Sequence, residues 1–302
     1  MTDEPAAVVD RDSRRVARRF GSTRRPWAAG AAVLCLRYGI LLVLAVIFLG
    51  PWLYLFSTSL KTPDAVLAYP PQWIPQTFDW NNYVLAVTRI PYVLYLRNTL
   101  FLVGVNVVGQ LLSCSLVAYS LACIDWAGRR ILFIGILATL MLPTQVTLIP
   151  LYIIFSQLHW VNTFLPLTVP SFFGNAAYIF LLRQFFLTVS RDVSEAARLD
   201  GASDLRIYWS IVMPLAWPAL VTVAILVATA TYNDFVGPLV YLTDSSLWTL
   251  SLGLNGFIGT RGSDIGALMA ATILYALPAL VLFLSAQRVY LRGITLQNFG
   301  RT

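Results

Sequence analysis

Five long stretches of this chain contain no Asp, Glu, Lys or Arg, and they restrict its possible folds more than any other feature. Four of them are 23 to 27 residues long and the fifth is 52 residues long. They are residues 38–60, 98–124, 131–182, 207–233 and 265–287. A helix needs about 20 apolar residues to cross the hydrocarbon core of a bilayer. The pattern therefore predicts a membrane protein built from spanning helices.

The 52-residue stretch is too long for one span, because as a single helix it would measure roughly 78 Å, more than twice the hydrocarbon thickness. A polar break at Gln157–Thr163 divides it, so we interpret it as two spans and a hairpin. An all-α fold with six transmembrane helices follows. The predicted spans lie near residues 38–60, 98–121, 131–155, 164–186, 214–241 and 265–288.

Composition excludes a water-soluble globule and a disordered chain. Hydrophobic residues make up 58% of the chain and charged residues 12%, whereas soluble domains average about 25% charged. The net charge is +7, but the arginines lie between long uncharged runs and form no basic stripe interleaved with aromatics. We therefore predict a partnership with membrane lipid and no binding of nucleic acid.

The distribution of basic residues predicts the orientation, since cytoplasmic loops are enriched in Lys and Arg. With the N-terminus inside, 17 of the 21 basic residues are cytoplasmic, and both termini lie in the cytoplasm. Residues 1–36 are then a basic tail at the anionic inner leaflet, and residues 292–302 are a second cytoplasmic tail. The first apolar run continues without a small-residue cleavage site, so it is interpreted as a retained span rather than an export signal.

The chain lacks the residues that common catalytic and metal sites require. Lys61 is its only lysine, and no segment fits the G-x-x-x-x-G-K-[ST] phosphate-binding loop. His159 is its only histidine, and the three cysteines have no ligand-like spacing. We predict a protein that is not an enzyme and that holds no cofactor or metal.

Between the first two spans lies a predicted outer segment, Lys61–Arg97, that is rich in Pro, Trp and Tyr. Prolines exclude a long helix in its first half, and aromatic residues are typical of the membrane–water boundary. Two interpretations stay open for this segment: a lid at the interface, or a contact surface for a soluble partner outside.

The most informative stretch lies between the fourth and fifth predicted spans. Glu195, Ala196 and Ala197 favour a helix, and Asp200-Gly201 favours a break because glycine adopts turn conformations without steric cost. Residues 202–213 are predicted to form a second helix that ends at Pro214. Two short helices joined at a bend would project as a rigid knob into the cytoplasm.

This stretch resembles the coupling loop of ATP-binding-cassette importer permeases, whose pattern is E-A-A-x-x-x-G-x9-I-x-L-P. Met213 replaces the leucine, a volume-conserving change. Further segments resemble the second permease subunit of maltose-type carbohydrate-uptake systems, and the resemblance covers about residues 36–295. Those segments are Met141–Pro143, Leu148–Tyr152, Val161–Thr163, Phe180–Phe186, Leu199–Ala202 and Tyr232–Leu239. The C-terminal residues Leu296–Thr302 depart from the small-residue and lysine tail with which this family often ends.

The resemblance implies a type I importer permease fold over residues 37–291, in the plasma (inner) membrane. It implies pairing with a homologous second permease subunit, two cytoplasmic ATPase subunits that hydrolyse ATP, and an extracytoplasmic substrate-binding protein. It also assigns ATPase coupling to residues 190–214, hereafter the coupling segment. The residues concerned are Glu195, Ala196, Ala197, Arg198, Asp200, Gly201, Ala202, Ile211 and Pro214.

Within the coupling segment, the resemblance implies a role for each type of side chain. Glu195 and Arg198 would make charged contacts with the ATPase. Gly201 would set the bend. The alanines Ala196, Ala197 and Ala202 would pack closely.

Polar side chains inside the predicted spans are candidates for a translocation path. They are Asn106, Gln110, Gln145, Asn175, Asn233 and Asp234. Such groups line a path for sugar hydroxyls or hydrogen-bond between helices, and the sequence leaves both readings open. Asp234 is the only carboxylate within a predicted span.

The predicted substrate is a sugar or oligosaccharide. The alternatives within the same superfamily are other polar solutes, such as glycerol 3-phosphate or an amino sugar. A gradient-driven carrier or a non-transporting scaffold is the alternative from another class. A carrier of that kind is expected to hold ion-coupling carboxylates in its spans or inverted repeats around broken helices, and neither is evident in the sequence.

Overall fold

The fold is helical in a computed structural model that describes residues 27–258 and 264–299, with side chains for 33–258 except 191 and for 264–284 except 282. No strand occurs among these residues. The chain divides into two units, one ending at Tyr54 and one beginning at Leu55. The described part of the first unit belongs to helix α1 (Trp27–Ser59), which contains Pro51.

Fourteen further α-helices follow within the described residues. They are α2 (Pro63–Val66), α3 (Asn81–Thr88), α4 (Tyr92–Cys123), α5 (Arg129–Thr139), α6 (Thr144–Gln157), α7 (Leu165–Thr168), α8 (Ala176–Phe186), α9 (Arg191–Leu199), α10 (Asp204–Ile207), α11 (Met213–Leu215), α12 (Trp217–Tyr232), α13 (Val236–Tyr241), α14 (Leu250–Leu254) and α15 (Ile265–Phe299). Helical turns of other kinds are the 3-10 turns Val169–Phe173, Ser245–Leu247 and Asn255–Phe257 and the π turn Tyr208–Val212.

Helix α4 is the centre of the second unit. It packs against α8, α12 and the 3-10 turn Val169–Phe173. The largest buried cluster surrounds its C-terminal half and includes Cys114, Tyr119, Leu182, Tyr208 and Val223. Lipid tails are as apolar as these side chains, so close packing and hydrogen bonds between helices hold this cluster together within a membrane.

A second buried cluster lies at the N-terminal end of α4, where α3 packs on α15. Asn82 of α3 is buried there and donates to the carbonyl oxygens of Ser59 and Lys61 at 3.0 and 2.9 Å. These bonds join the end of α1 to α3. Gly266 packs directly against Asn82, since a Cβ at that glycine would lie 2.7 Å from Nδ2.

Among the residues that the structure describes, three helical segments are long and apolar enough to cross a bilayer: Val33–Ser59, Tyr92–Cys123 and Leu165–Phe186. Two bent helix pairs would raise the number of spans to five. The apolar helical stretch Ile265–Val281 is shorter than these segments. The break predicted at Gln157–Thr163 is present, because α6 ends at Gln157 and α7 begins only at Leu165.

Two predicted spans are interrupted. The helices α5 and α6 meet at 96°, and the break falls just before Pro143, where proline disfavours helical geometry in the preceding residue. The predicted span 214–241 is not one helix, because α12 ends at Tyr232 and α13 begins at Val236. Residues 204–215 are also bent by 79° from α12.

Several predicted features fall outside the described residues. The basic tail predicted for residues 1–36 lies outside them as far as position 26, and Arg261 and residues 300–302 lie outside them too. The predicted C-terminal tail 292–302 is helical as far as Phe299, because α15 continues past the predicted end of the sixth span.

Candidate functional site

The first half of the coupling segment is helix α9, which has a capping residue at its start and favourable charges in its first and last turns. The side chain of Ser190 accepts a hydrogen bond from the backbone N–H of Asp192 at 3.3 Å and caps the helix. An acidic residue, Asp192, lies in the first turn and a basic one, Arg198, in the last. Both charges are favourable for the helix dipole.

The predicted break at Asp200-Gly201 is present, and its backbone conformation favours glycine. Gly201 has a φ of +79°, a left-handed conformation that side chains with a Cβ disfavour. Its N–H bonds to the Arg198 carbonyl at 3.0 Å, and the Ala202 N–H bonds to the Ala197 carbonyl at 2.9 Å. This pair of bonds is a Schellman motif, and it gives the bend a defined direction.

The second half differs from the prediction of one helix ended by Pro214. Ser203 caps the short helix α10 by accepting from the Arg206 N–H at 3.4 Å. A π turn follows, in which the Met213 N–H bonds to the Tyr208 carbonyl. Pro214 then occupies an early position of α11. The helical segment therefore continues through Pro214 to Leu215, and the prediction of its end was wrong.

The coupling segment has an exposed outer surface and an inner surface that packs on the protein. Among the predicted coupling residues, the exposed ones are Glu195, Ala196, Arg198, Asp200, Gly201 and Pro214. The partly buried ones are Ala197, Ala202 and Ile211, which pack against the main buried cluster. Two leucines also face outward: Leu199 is 90% exposed and Leu205 is 61% exposed.

Arg198 connects the two halves of the coupling segment. Its Nη2 and Nε donate to Oδ1 of Asp204 at 2.9 and 3.2 Å. Hydrogen bonding to Asp204 raises the pKa of the Arg198 guanidinium, although burial opposes the shift. The Arg198 side chain thus has a partner within the chain.

One face of helix α4 contacts the coupling segment at three successive levels. The hydroxyls of Ser115 and Tyr208 are 2.7 Å apart, and both residues are fully buried. The Tyr119 hydroxyl donates to the Asp204 carbonyl at 3.2 Å. Nη2 of Arg198 donates to the Cys123 carbonyl at 3.4 Å. Residues 115, 119 and 123 are four apart, so they lie on one face of α4.

The carbonyl end of α4 is satisfied by side chains from other elements. The last carbonyls of a helix have no partner within the helix, and a buried one left without a donor costs about 1–3 kcal/mol. Arginines of α5, α8 and α9 and a tryptophan of the connecting loop supply the donors. The bonds run from Trp126 to Ser120 at 3.2 Å, from Arg183 to Leu121 at 3.4 Å, from Arg198 to Cys123 at 3.4 Å and from Arg129 to Ile124 at 3.0 Å.

A small cleft of about 50 Å³ separates α9 from the ends of α4 and α8. Glu195 and Arg198 line it together with Cys123 and Asp125. Glu195 therefore borders both the cleft and the outer surface. Within the part of the chain that the structure describes, no three His, Cys, Asp or Glu side chains are close enough together to hold a metal ion.

Two of the candidate path residues share a partner, and a third lies beside a different helix. The Cys114 thiol donates to Gln110 at 3.1 Å and accepts from the Asn175 N–H at 3.2 Å, and the Asn175 side chain caps α8. Oδ1 of Asn233 accepts from the Tyr275 hydroxyl at 3.0 Å.

The remaining candidates have different surroundings. Asp234 Oδ1 accepts from the Gly237 N–H at 3.1 Å and thereby caps α13. Gln145 is exposed at the start of α6, and Asn106 is buried in α4. Most of the candidates with an assigned hydrogen bond thus serve local structure.

Sequence reasoning did not single out Ser115, Tyr119, Asp204 or Tyr208. A signal for two of them was present, because Ser115 and Tyr119 are polar groups at helical spacing within an uncharged run. Their partners in the coupling segment follow more than 80 residues later in the chain, and nothing local indicates which residues those are.

Similarity to known proteins agrees with this architecture. The family described as "Binding-protein-dependent transport system inner membrane component" matches residues 115–294, which include the whole coupling segment. The arabinooligosaccharides transport system permease protein AraQ of Halalkalibacterium halodurans is 32% identical over 222 residues, which are 73% of this chain and 79% of that protein. The sn-glycerol-3-phosphate transport system permease protein UgpE of Yersinia pestis is 30% identical, over 84% of this chain and 94% of that protein.

Among solved structures, a chain of a bacterial ABC transporter involved in the import of the acidic polysaccharide alginate has a similar fold. The TM-score is 0.76 at 25% identity, and the match covers 88% of this chain and 98% of that chain. The family match extends over more than half of the sequence and contains the coupling segment. The chain therefore belongs to the inner membrane components of binding-protein-dependent transport systems, the permease subunits of ABC importers.

Proposed function

We propose that this permease subunit imports a carbohydrate in response to ATP hydrolysis by separate subunits that bind its coupling segment. The observation that carries the proposal is the contrast between the two surfaces of that segment. Its inner surface packs into the main buried cluster, whereas its outer surface exposes Leu199 and Leu205. A rigid knob with exposed apolar side chains at its tip is suited to fill a groove in another protein.

In this proposal, the exposed residues Glu195, Ala196 and Asp200 contact the ATPase beside Leu199. The partly buried Ala197, Ala202 and Ile211 hold the knob to the bundle, and Gly201 sets its direction. Arg198 forms an ion pair with Asp204, so we propose that it holds the two halves of the coupling segment together and does not contact the ATPase. Pro214 belongs to the connection between the knob and α12.

The proposed topology has six spans, with both termini and the coupling segment in the cytoplasm. The basic residues support it, since 17 of 21 are then cytoplasmic. The permease domain would comprise residues 37–291 between two cytoplasmic tails. The bent pair α5–α6 would count as one span that is broken within the membrane, whereas the 79° bend before α12 would separate the cytoplasmic residues 204–215 from the fifth span.

The proposed partners are a homologous second permease subunit, two ATP-binding-cassette subunits and an extracytoplasmic binding protein. The family description supports the binding protein. A second structure of the alginate transporter, in complex with an alginate pentasaccharide-bound periplasmic protein, shares the fold at 18% identity and a TM-score of 0.63. This chain has no phosphate-binding loop, so ATP hydrolysis would reside on the cassette subunits.

The proposed substrate class is an oligosaccharide, since the relatives include an arabinooligosaccharide system and the alginate importer. A glycerol phosphate is the second candidate, because the sn-glycerol-3-phosphate permease is similar over a larger share of both chains. Uptake of labelled arabinotriose and of labelled sn-glycerol 3-phosphate by cells that contain the assembled importer separates the two. Uptake that persists without ATP and disappears with the proton gradient would contradict both.

Docking of the coupling segment is tested by the substitution Leu199→Asp. Leu199 is 90% exposed, so the change leaves internal packing intact while placing a charge in the proposed interface. We expect the assembled importer to lose its ATPase subunits in an affinity pull-down through the permease. Leu67→Asp is the matched control, because Leu67 is 78% exposed on the segment between the first two spans. Equal retention of the ATPase by both variants would contradict the proposal.

A further inference from the structure

Helix α4 makes hydrogen bonds to other parts of the chain near both of its ends. Its C-terminal half contacts the coupling segment through Ser115, Tyr119 and the Cys123 carbonyl. Near its N-terminal end, the buried Thr99 hydroxyl accepts from the Leu250 N–H at 2.8 Å. The neighbouring Asn98 amide donates to the carbonyls of residues 246 and 248 at 2.9 and 3.1 Å. From Thr99 to Cys123, α4 connects these sites over about 36 Å.

We infer that Arg198, Asp204 and Tyr208 are positioning residues that fix the coupling segment to α4, so that the two move as one rigid body. Displacement of the knob would then move α4 as a whole and, through Asn98 and Thr99, the segment from Ser245 to Leu254. This inference rests on the proposed function for its physiological meaning. The rigid connection itself is a property of this chain alone.

The contacts between the coupling segment and α4 range from completely buried to half exposed. The Ser115–Tyr208 hydrogen bond is completely buried, and the rings of Tyr119 and Tyr208 pack at 5.3 Å between centroids. Buried hydrogen bonds in a close-packed core leave little room for sliding. The Arg198 contacts are half exposed and lie closest to the tip. Together they join the segment to α4 at its base, its middle and its outer end.

The turn at Gly201 explains why such a connection is needed. No atom lies within 4 Å of the position that a Cβ would occupy at Gly201, so packing does not support the bend from outside. If Arg198 did not bridge to Asp204 and Cys123, a push on α9 would bend this turn instead of moving α4. The two halves of the segment would then move separately.

Distance measurement between two spin labels tests the inference. Nitroxides are placed at Val193→Cys on α9 and Val108→Cys on α4, both partly exposed positions, with Cys35 and Cys123 replaced by alanine. The Cys123 contact uses its backbone carbonyl, so alanine preserves it. Cys114 is fully buried and is left in place. Double electron–electron resonance is recorded on the full chain in lipid nanodiscs and on the assembled importer with and without Mg·ATP and vanadate.

We expect one narrow distance distribution that nucleotide trapping leaves unchanged. In the combined variant Tyr119→Phe, Arg198→Leu, the distribution should broaden on the order of two-fold in nanodiscs, because local opening becomes less costly, and it should shift on trapping. Tyr178→Phe is the matched control: Tyr178 packs against the same cluster but makes no hydrogen bond that depends on its hydroxyl. Tyr119→Phe alone serves if the combined variant fails to fold.

Two results would overturn the inference. One is a change of the 108–193 distance on nucleotide trapping in the labelled protein that keeps Tyr119 and Arg198. Such a change would mean that the coupling segment moves relative to α4. The other is a distribution in the combined variant as narrow as that of Tyr178→Phe. The nanodisc arm needs no ATPase, so it decides the rigid connection even if Leu199→Asp shows that the docking proposal is wrong.

Discussion

The Arg198 guanidinium donates two hydrogen bonds to a single oxygen of Asp204 and so closes a ring around the turn at Gly201. The two nitrogen–oxygen distances are 2.9 and 3.2 Å. The same guanidinium reaches the Cys123 carbonyl of α4. One side chain therefore connects both halves of the coupling segment to the central helix of the bundle.

The Arg198–Asp204 pair should respond to salt and not to alkaline pH. The pair is half exposed, so Asp204→Asn should cost only about 0.2–1 kcal/mol of unfolding free energy. Hydrogen bonding raises the pKa of Arg198, so the arginine's contribution is complete below its unfolded pKa and is lost only as the pH rises through the higher folded value. Thermal unfolding at about pH 7 and about pH 9 should therefore show the same effect of Asp204→Asn.

The effect of the same substitution should depend on salt concentration. Raising the ionic strength from about 0.1 M to about 1 M should reduce the effect of Asp204→Asn, because exposed charges are screened. An effect of the substitution that shrinks between the two pH values, or that is independent of salt, would contradict the assignment of an exposed ion pair.

Substitution of Gly201 should disturb coupling through backbone strain alone. Gly201→Val places a β-branched residue at a φ of +79°, which costs roughly 1–2 kcal/mol, and no neighbouring atom clashes with the added Cβ. We expect ATP-driven uptake to fall strongly while the chain still inserts. Gly201→Asn is the control, since asparagine tolerates the left-handed region. Uptake that is equal for valine, asparagine and glycine would show that the turn geometry is not required.

Asn82 should be far more sensitive than its neighbour Asn81. Asn82→Ala removes the donors to the Ser59 and Lys61 carbonyls, and the loss of partners for buried polar groups costs about 1–3 kcal/mol. Asn81 is exposed, so Asn81→Ala should change the unfolding free energy by less than about 0.5 kcal/mol. Thermal unfolding of the purified protein measures both, and similar melting temperatures for the two variants would refute the role of Asn82.

Tyr232 and Tyr275 should stabilise the contact between α12 and α15 cooperatively. The Tyr232 hydroxyl donates to the Tyr275 carbonyl at 2.6 Å, and the Tyr275 hydroxyl donates to the Tyr232 carbonyl at 3.0 Å. Each Tyr→Phe change should cost about 0.5–1.5 kcal/mol. Because the two rings also pack together, a double-mutant cycle should give a non-additive result. Strict additivity would mean that the two bonds act independently.

Two substitutions of Asp234 distinguish a structural role of this residue from a role in the translocation path. Its Oδ1 accepts from the Gly237 N–H, and asparagine retains an oxygen that can do the same. We expect uptake to survive Asp234→Asn and to fall with Asp234→Ala, which removes the cap at a cost of about 1 kcal/mol. Equal loss of uptake in the two variants would instead indicate that the negative charge itself is needed on the path.

The helices and the bend of the coupling segment could be predicted from the sequence because their causes are local. The absence of charge over 20 or more residues is sufficient for a membrane helix, and the break at Gln157–Thr163 is visible as a run of polar residues. The turn at Gly201 follows from the conformations open to glycine. These features depend on residues adjacent in the chain.

Two interruptions of the predicted spans have local signals that the span prediction did not use. Pro143 follows the break between α5 and α6, and the polar pair Asn233-Asp234 follows the end of α12 at Tyr232.

Tertiary contacts decided other features. Packing turned Ala197 and Ala202 towards the protein's own core and left Ala196 outside. A hydropathy pattern does not distinguish these outcomes, because all three alanines have the same side chain.

The sequence by itself thus determined that the chain is a helical membrane protein with a bent coupling segment. The tertiary structure alone decided that Arg198 binds Asp204 and the end of α4, and that Ser115 meets Tyr208. The physical reason is that a hydrogen bond depends on where two atoms lie in space. Cys123 and Arg198 are 75 residues apart in the chain, and only the packing of α4 against the coupling segment brings them together.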